Sequence, residues 1–232
     1  MANPPDADDA GSRLRALGWH QGALIPIARG TGLPEILVEA FEHAIVASQD
    51  CDIVANVKTE AAVDLLPAVV SSESSADQLY GKNPRKLCLA LGNGQFATVD
   101  VRRRVTVEKS LVSAIEPVTS ASLSVSERKV LAKWLGKRYT RPAFPDAFNE
   151  RLRPNTSKLD RLLKRAEGRQ VTAILLQLNT EVELEQAQTY SAIVWFACRP
   201  AVAEDSEIRL QLEEYAAAFA QVLEACEGVH VE

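Results

Sequence analysis

The spacing of apolar residues predicts short strands in the first half, helices in the middle, and a mixed strand–helix segment at the end. Residues 23–27 form a short apolar run ending near Pro26, and a turn with Gly30, Gly32 and Pro34 follows. Residues 34–43 fit a short helix or an extended segment, with Ile36, Leu37, Ala40 and Phe41 at helical spacing. Residues 44–47 read as a buried strand that runs straight into Ser48-Gln49-Asp50-Cys51-Asp52-Ile53. A second strand is predicted over 61–70, where Pro67 implies an edge or a bulge. The clearest hairpin is 86–91 and 95–101 around Gly92-Asn93-Gly94, with 104–107 continuing as strand.

From residue 123 the period changes. Residues 123–138 predict a helix capped by Ser124 or Ser126, with Glu127 in its first turn and a stripe of Val130, Leu131, Trp134 and Leu135. A proline- and aromatic-rich connection leads to a second, strongly basic helix over 149–167. Val171–Leu178 and Tyr190–Cys198 then read as strands and 208–226 as an amphipathic helix, a β-β-α unit. The expected fold class is α+β, with the front half a small curled sheet or barrel. The expected divisions are a disordered tail over 1–12, a strand-rich domain over 13–122, a basic helical segment over 123–168 and a small α+β unit over 169–232.

Composition narrows the class. At 232 residues and 47% apolar, the chain can bury a core without metal or disulfide staples. The longest apolar runs are of strand length, well short of the roughly 20 residues that cross a bilayer. The first residues have neither a basic nor an apolar signal-peptide region, so a cytoplasmic location is expected. Cys51, Cys88, Cys198 and Cys226 stand singly, which fits reduced thiols.

The net charge of −5 hides an asymmetry. Residues 82–169 hold 20 of the 26 Lys+Arg but only 8 of the 31 Asp+Glu. Such a distribution suggests a polyanionic partner or an internal acidic–basic interface.

Three constellations carry candidate chemistry. In the first, Asp50 and Asp52 flank Cys51, with Glu60 and Asp64 close behind. Asp50, Asp52 and Glu60 offer oxygen ligands to a divalent metal; alternatively Cys51 is a nucleophile with His20 as base. In an extended strand Asp50 and Asp52 would share one face and Cys51 the other. The third alternative is structural: Asp side chains hold a turn through backbone N–H groups, with Cys51 in the core. The second constellation is Trp19-His20-Gln21-Gly22, whose lone histidine also fits a structural role. The third is basic: Arg102, Arg103, Arg104, Lys133, Lys137, Arg138, Arg141, Arg151, Arg153, Lys158, Arg161, Lys164, Arg165 and Arg169 could track phosphates. Arg161 is expected to share a helical face with Arg165 and with Lys158, and Tyr139, Phe144 and Phe148 could stack bases. An internal or protein interface is the competing use of these charges.

Two of these stretches also carry a resemblance. Ser48-Gln49-Asp50-Cys51-Asp52-Ile53 and Arg138-Tyr139-Thr140-Arg141-Pro142-Ala143-Phe144-Pro145-Asp146 resemble an uncharacterised bacterial family with S-Q-x-C-D and R-Y-x-R-P-A-x-P-D motifs. The likeness spans most of Trp19 to Arg153 and implies architecture, not an activity. By strand pattern alone, the front half is also similar to the small barrel of PemK/MazF-type RNA-cleaving toxins. The leading expectation is a bacterial protein acting on or with nucleic acid, as an accessory of a mobile element or defence system. A non-enzymatic protein-interaction module and a Cys51-dependent enzyme are the alternatives.

Overall fold

The computed structural model describes residues 9–140 and 144–232, the backbone alone at 138–140. The expected α+β class holds, and the chain divides into two compact units. The first comprises residues 1–74 and 83–138, the second 75–82 and 139–232.

The first unit is built on a six-stranded antiparallel sheet. Its strands are β1 (Leu24–Pro26), β2 (His43–Val46), β3 (Ala62–Ser71), β4 (Lys86–Ala90), β5 (Phe96–Asp100) and β6 (Val105–Glu108). The order is β1-β2-β3-β5-β4, with β6 also on β3. Among the described residues this sheet is open, not a closed barrel, because β1 and β4 lie at opposite ends of the pairing order.

Both faces of the sheet are covered, which explains why β2 reads as a continuous apolar run. Leu24, Ile45, Leu66, Leu87 and Val99 meet Leu131 and Trp134 on one face. Those last two come from helix α5 (Val125–Thr140). The expected stripe and cap are both present: Ser124 Oγ accepts the Glu127 N–H at 3.2 Å. On the other face Ile25, Ala44, Val46, Val63 and Leu65 meet Leu14, Leu37, Ile53 and Val112. These come from α1 (Ala10–Ala16), α2 (Glu35–Val38), α3 (Asp50–Val54) and α4 (Lys109–Val112). Residues 10–12, expected in a disordered tail, thus begin α1.

Pro67 lies in the central strand, neither at an edge nor in a bulge. Strand β3 pairs β6 through Ala62–Leu65 and β5 through Ala68–Ser71, leaving residues 66 and 67 opposite neither. The Asp64 carbonyl accepts from Ala47 across the β2 side. Alternation therefore turns residue 67 toward that gap, where a missing N–H leaves no bond unmade. Strands β5 and β6 together run along β3 as one strand with an excursion at Val101–Arg103. Ala68 pairs Val99 and Leu65 pairs Val105, so five residues stand opposite two. The odd-numbered excess reverses facing: Ala97 and Val99 point into one core, Val107 into the other.

The second unit contains β7 (Val171–Leu178), β8 (Tyr190–Cys198) and β9 (Val229–Val231) in that order, with β9 parallel to β8. Helices α6 (Asp146–Leu152), α7 (Thr156–Leu163), α8 (Pro200–Glu204) and α9 (Ser206–Glu224) complete it. The single helix expected over 149–167 is broken, with Pro154 in a 3₁₀ turn between α6 and α7. Edge-to-face aromatic pairs tie the core: Phe148 on Tyr190 at 5.4 Å, Tyr215 on Phe196 at 5.7 Å and Phe219 on Phe196 at 5.5 Å. The Asp205 carboxylate caps α9 through the Glu207 and Ile208 N–H groups. No helix among the described residues is long and apolar enough to cross a membrane.

Candidate functional site

Residues 50–54 form a helical turn, not strand, so the two-face argument for Asp50, Asp52 and Cys51 does not apply. Sheet pairing ends where the Ala47 N–H donates to Asp64 O, and Ser48 Oγ accepts the Asp64 N–H at 2.8 Å. The chain then turns because Ile53 is drawn into the core. Asp50 Oδ1 accepts the Gln21 N–H at 2.6 Å, and the Gln21 side-chain amide donates to Ala47 O at 2.8 Å. The Trp19–Gly22 and Ser48–Ile53 motifs are thus joined, by backbone clamping.

The thiol does not meet the histidine in a hydrogen bond. Cys51 is exposed, with Sγ 3.4 Å from Asp52 Oδ1, while His20 Nδ1 lies 2.9 Å from Gln21 O. Among the described residues no three His, Cys, Asp or Glu side chains could share an ion. Asp50, Asp52 and Glu60 are therefore not gathered into a metal centre. Asp64 accepts from the Thr106 hydroxyl at 2.6 Å and pairs with Arg104 at 3.5 Å.

Asp52 and Glu60 have a different electrostatic neighbour, which the sequence reading missed. Lys109 is fully buried, and its Nζ donates to Ala55 O at 2.8 Å. Burial lowers its amine pKa below the ordinary lysine value, while Glu60, Asp9 and Asp52 pull the other way. Nothing in Val107-Glu108-Lys109-Ser110-Leu111 distinguishes this lysine from an exposed one.

The basic residues divide into engaged and unengaged. Arg102 makes a two-point contact with Asp100, whose carboxyl pKa that bond holds down at about 2. Arg103 lies over the Phe41 ring at 5.6 Å, and Arg104 faces Asp64. In the second unit Arg165 pairs with Glu167, and Arg161 Nε donates to Ser157 O. Because α7 ends at Leu163, Arg161 and Arg165 do not share a helical face; Lys158 and Arg161 both lie on α7. Lys164 is exposed and in no ion pair among the described residues. Arg141 and the side chains of Arg138 and Tyr139 fall outside the described residues. Phe148 is fully buried and Phe144 packs against it, so Phe148 is not available to stack bases.

Helix α5 carries the unengaged set. Lys129, Lys133 and Lys137 are exposed at four-residue spacing and enter no ion pair among the described residues. That spacing places them on one face, about 6 Å apart along the axis. Lys129 was not among the residues singled out from sequence, although the same spacing would have found it. The chain matches no protein-family model and no curated protein.

Proposed function

We propose that the protein binds nucleic acid through the phosphate backbone, with the Lys129–Lys133–Lys137 row of α5 as the contact surface. The row is the observation that carries this reading. Like charges at four-residue spacing destabilise a helix by about 0.2–0.5 kcal/mol per pair. Among the described residues no acid forms an ion pair with any of the three lysines. A polyanion would reverse the sign of the row's contribution by neutralising it and releasing its own counterions.

Binding of fluorescent single-stranded RNA and duplex DNA, titrated across salt concentrations, tests this. Affinity should fall with salt, and replacing all three lysines by glutamine should reduce the log–log slope by about one per lysine removed. Absence of binding at low salt, or an unchanged slope in the triple variant, overturns the reading.

A second reading, a protein-binding module, rests on β7 and β8. Leu175 and Trp195 are direct cross-strand partners and are 54% and 45% exposed, a wide apolar pair open to solvent. Trp195→Glu should abolish any self-association seen by sedimentation across a concentration series.

A further inference from the structure

We propose that a cavity in the second unit binds small organic carboxylates, with Arg151 as the anion-binding group. The cavity has a volume of about 470 Å³ and lies among α6, the residues that follow it, and the segments around 184–186 and 225–227. That volume is within the range of small-molecule sites, roughly 300–1,000 Å³.

The charge on its wall is unusual. Arg151 donates from Nη1 to Gln188 O at 2.7 Å and Gly228 O at 2.6 Å, and from Nη2 to Glu185 O at 2.8 Å. Its guanidinium also lies over the Tyr190 ring at 4.8 Å. Gly228, at φ +70°, lacks the Cβ that would overlap this guanidinium. All three acceptors are neutral carbonyls, and no carboxylate among the described residues pairs with Arg151. The positive charge is therefore fixed in place but not neutralised. A guanidinium has five N–H donors, so two remain beyond the three engaged among the described residues. A rigid guanidinium with two open donors suits a carboxylate, which accepts two parallel bonds.

The remaining walls set the rest of the ligand. Ala147, Pro154 and Leu184 present apolar surface for a hydrocarbon or aromatic body. Two acids also line the cavity. Glu150 is paired with Arg153, whereas Glu227 is exposed and in no ion pair among the described residues. Glu227 opposes an anion and gives the site an internal control.

The test uses the full chain with benzoate, and with benzamide and benzylamine as neutral and cationic matches. Binding is followed by amide chemical shifts in a ¹H–¹⁵N spectrum. Benzoate should bind saturably, at least tenfold tighter than benzamide, with shifts at Ala147, Leu184 and Glu227. Glu227→Gln should tighten it several-fold. Arg151→Gln should abolish it, but that side chain also ties three segments together. Ala225→Trp, at an exposed position on the cavity wall, is the control that fills the space and leaves those ties intact. No saturable benzoate binding, tighter benzylamine binding, or binding unchanged in Ala225→Trp each overturns the proposal.

Discussion

Lys109 and Gly11 share one acceptor, the Ala55 carbonyl, from different sides. The lysine donates to it, and the glycine lies so close that a Cβ would overlap the oxygen. Gly11→Ala should therefore destabilise the protein by about 1–3 kcal/mol, the usual range for overpacking, measured by urea unfolding. Lys109→Met removes a buried charge while keeping volume. It also leaves the Ala55 carbonyl without its donor, so its unfolding free energy at neutral pH should fall by about 1–3 kcal/mol. Lys82 gives a titration that can be followed. Burial lowers its amine to about 8, with Asp77 acting in the opposite direction, and Nζ donates to Gly168 O at 2.6 Å. Between that value and the unfolded lysine's 10.5, the unfolded chain binds more protons. Stability should therefore rise with pH from about 8 to 10, with a smaller rise in Lys82→Met. Of these residues, only the acidic set was visible in sequence. Asp50 stood out because carboxylates are conspicuous; it does bond a backbone N–H, as the structural alternative expected, but that of Gln21, 29 positions away, and Cys51, which that alternative placed in the core, is exposed. Lys109 was invisible because its acceptor, Ala55, and the acids that act on its charge, Glu60, Asp9 and Asp52, are all distant in sequence.

At the scale of elements, α5 shows what periodicity resolves. Its stripe, cap and first-turn acid are local properties, and all were legible. Glu127 does more than its position suggested: it accepts the Ala90 N–H of edge strand β4 at 3.2 Å, and burial raises its pKa. The Ala90–Glu127 bond joins residues 37 apart, beyond what local spacing reveals. Strand β3 shows where a local rule fails. Proline argues against a central strand, yet here two different segments share one side of β3 and leave a gap at residue 67. Pro67→Val should destabilise by about 1–3 kcal/mol in urea unfolding, because it introduces a buried N–H that meets no acceptor. The basic helix expected over 149–167 breaks at Pro154, which has no N–H to continue α6 into α7.

At the scale of the whole chain, two of the three cores found among the described residues belong to the first unit and one to the second. The boundary follows packing rather than composition. The basic stretch is divided, α5 going largely with the sheet it covers and α7 with the aromatic core. Buried Cys88 and Cys226 report the two units separately. Leu131→Ala should destabilise by about 2–5 kcal/mol and accelerate thiol labelling at Cys88 in denaturant, with little effect on Cys226. Equal acceleration at both would show that the units unfold as one. Charge asymmetry pointed to a polyanion or an interface, but it could not distinguish arginines already paired, such as Arg102 and Arg104, from the open lysine row.

The excursion at Val101–Arg103 also sets which length changes the chain tolerates. Deleting those three residues would place Val105 and Val107 where β5 would naturally continue, in unchanged register with Leu65 and Val63. Deleting one residue would instead slide β6 relative to its partner or turn its valines outward. The three-residue deletion should therefore keep the valines facing inward, while losing the burial of Val101 and setting Pro67, which has no N–H, opposite Asp100; single deletions in the same stretch should turn the valines outward.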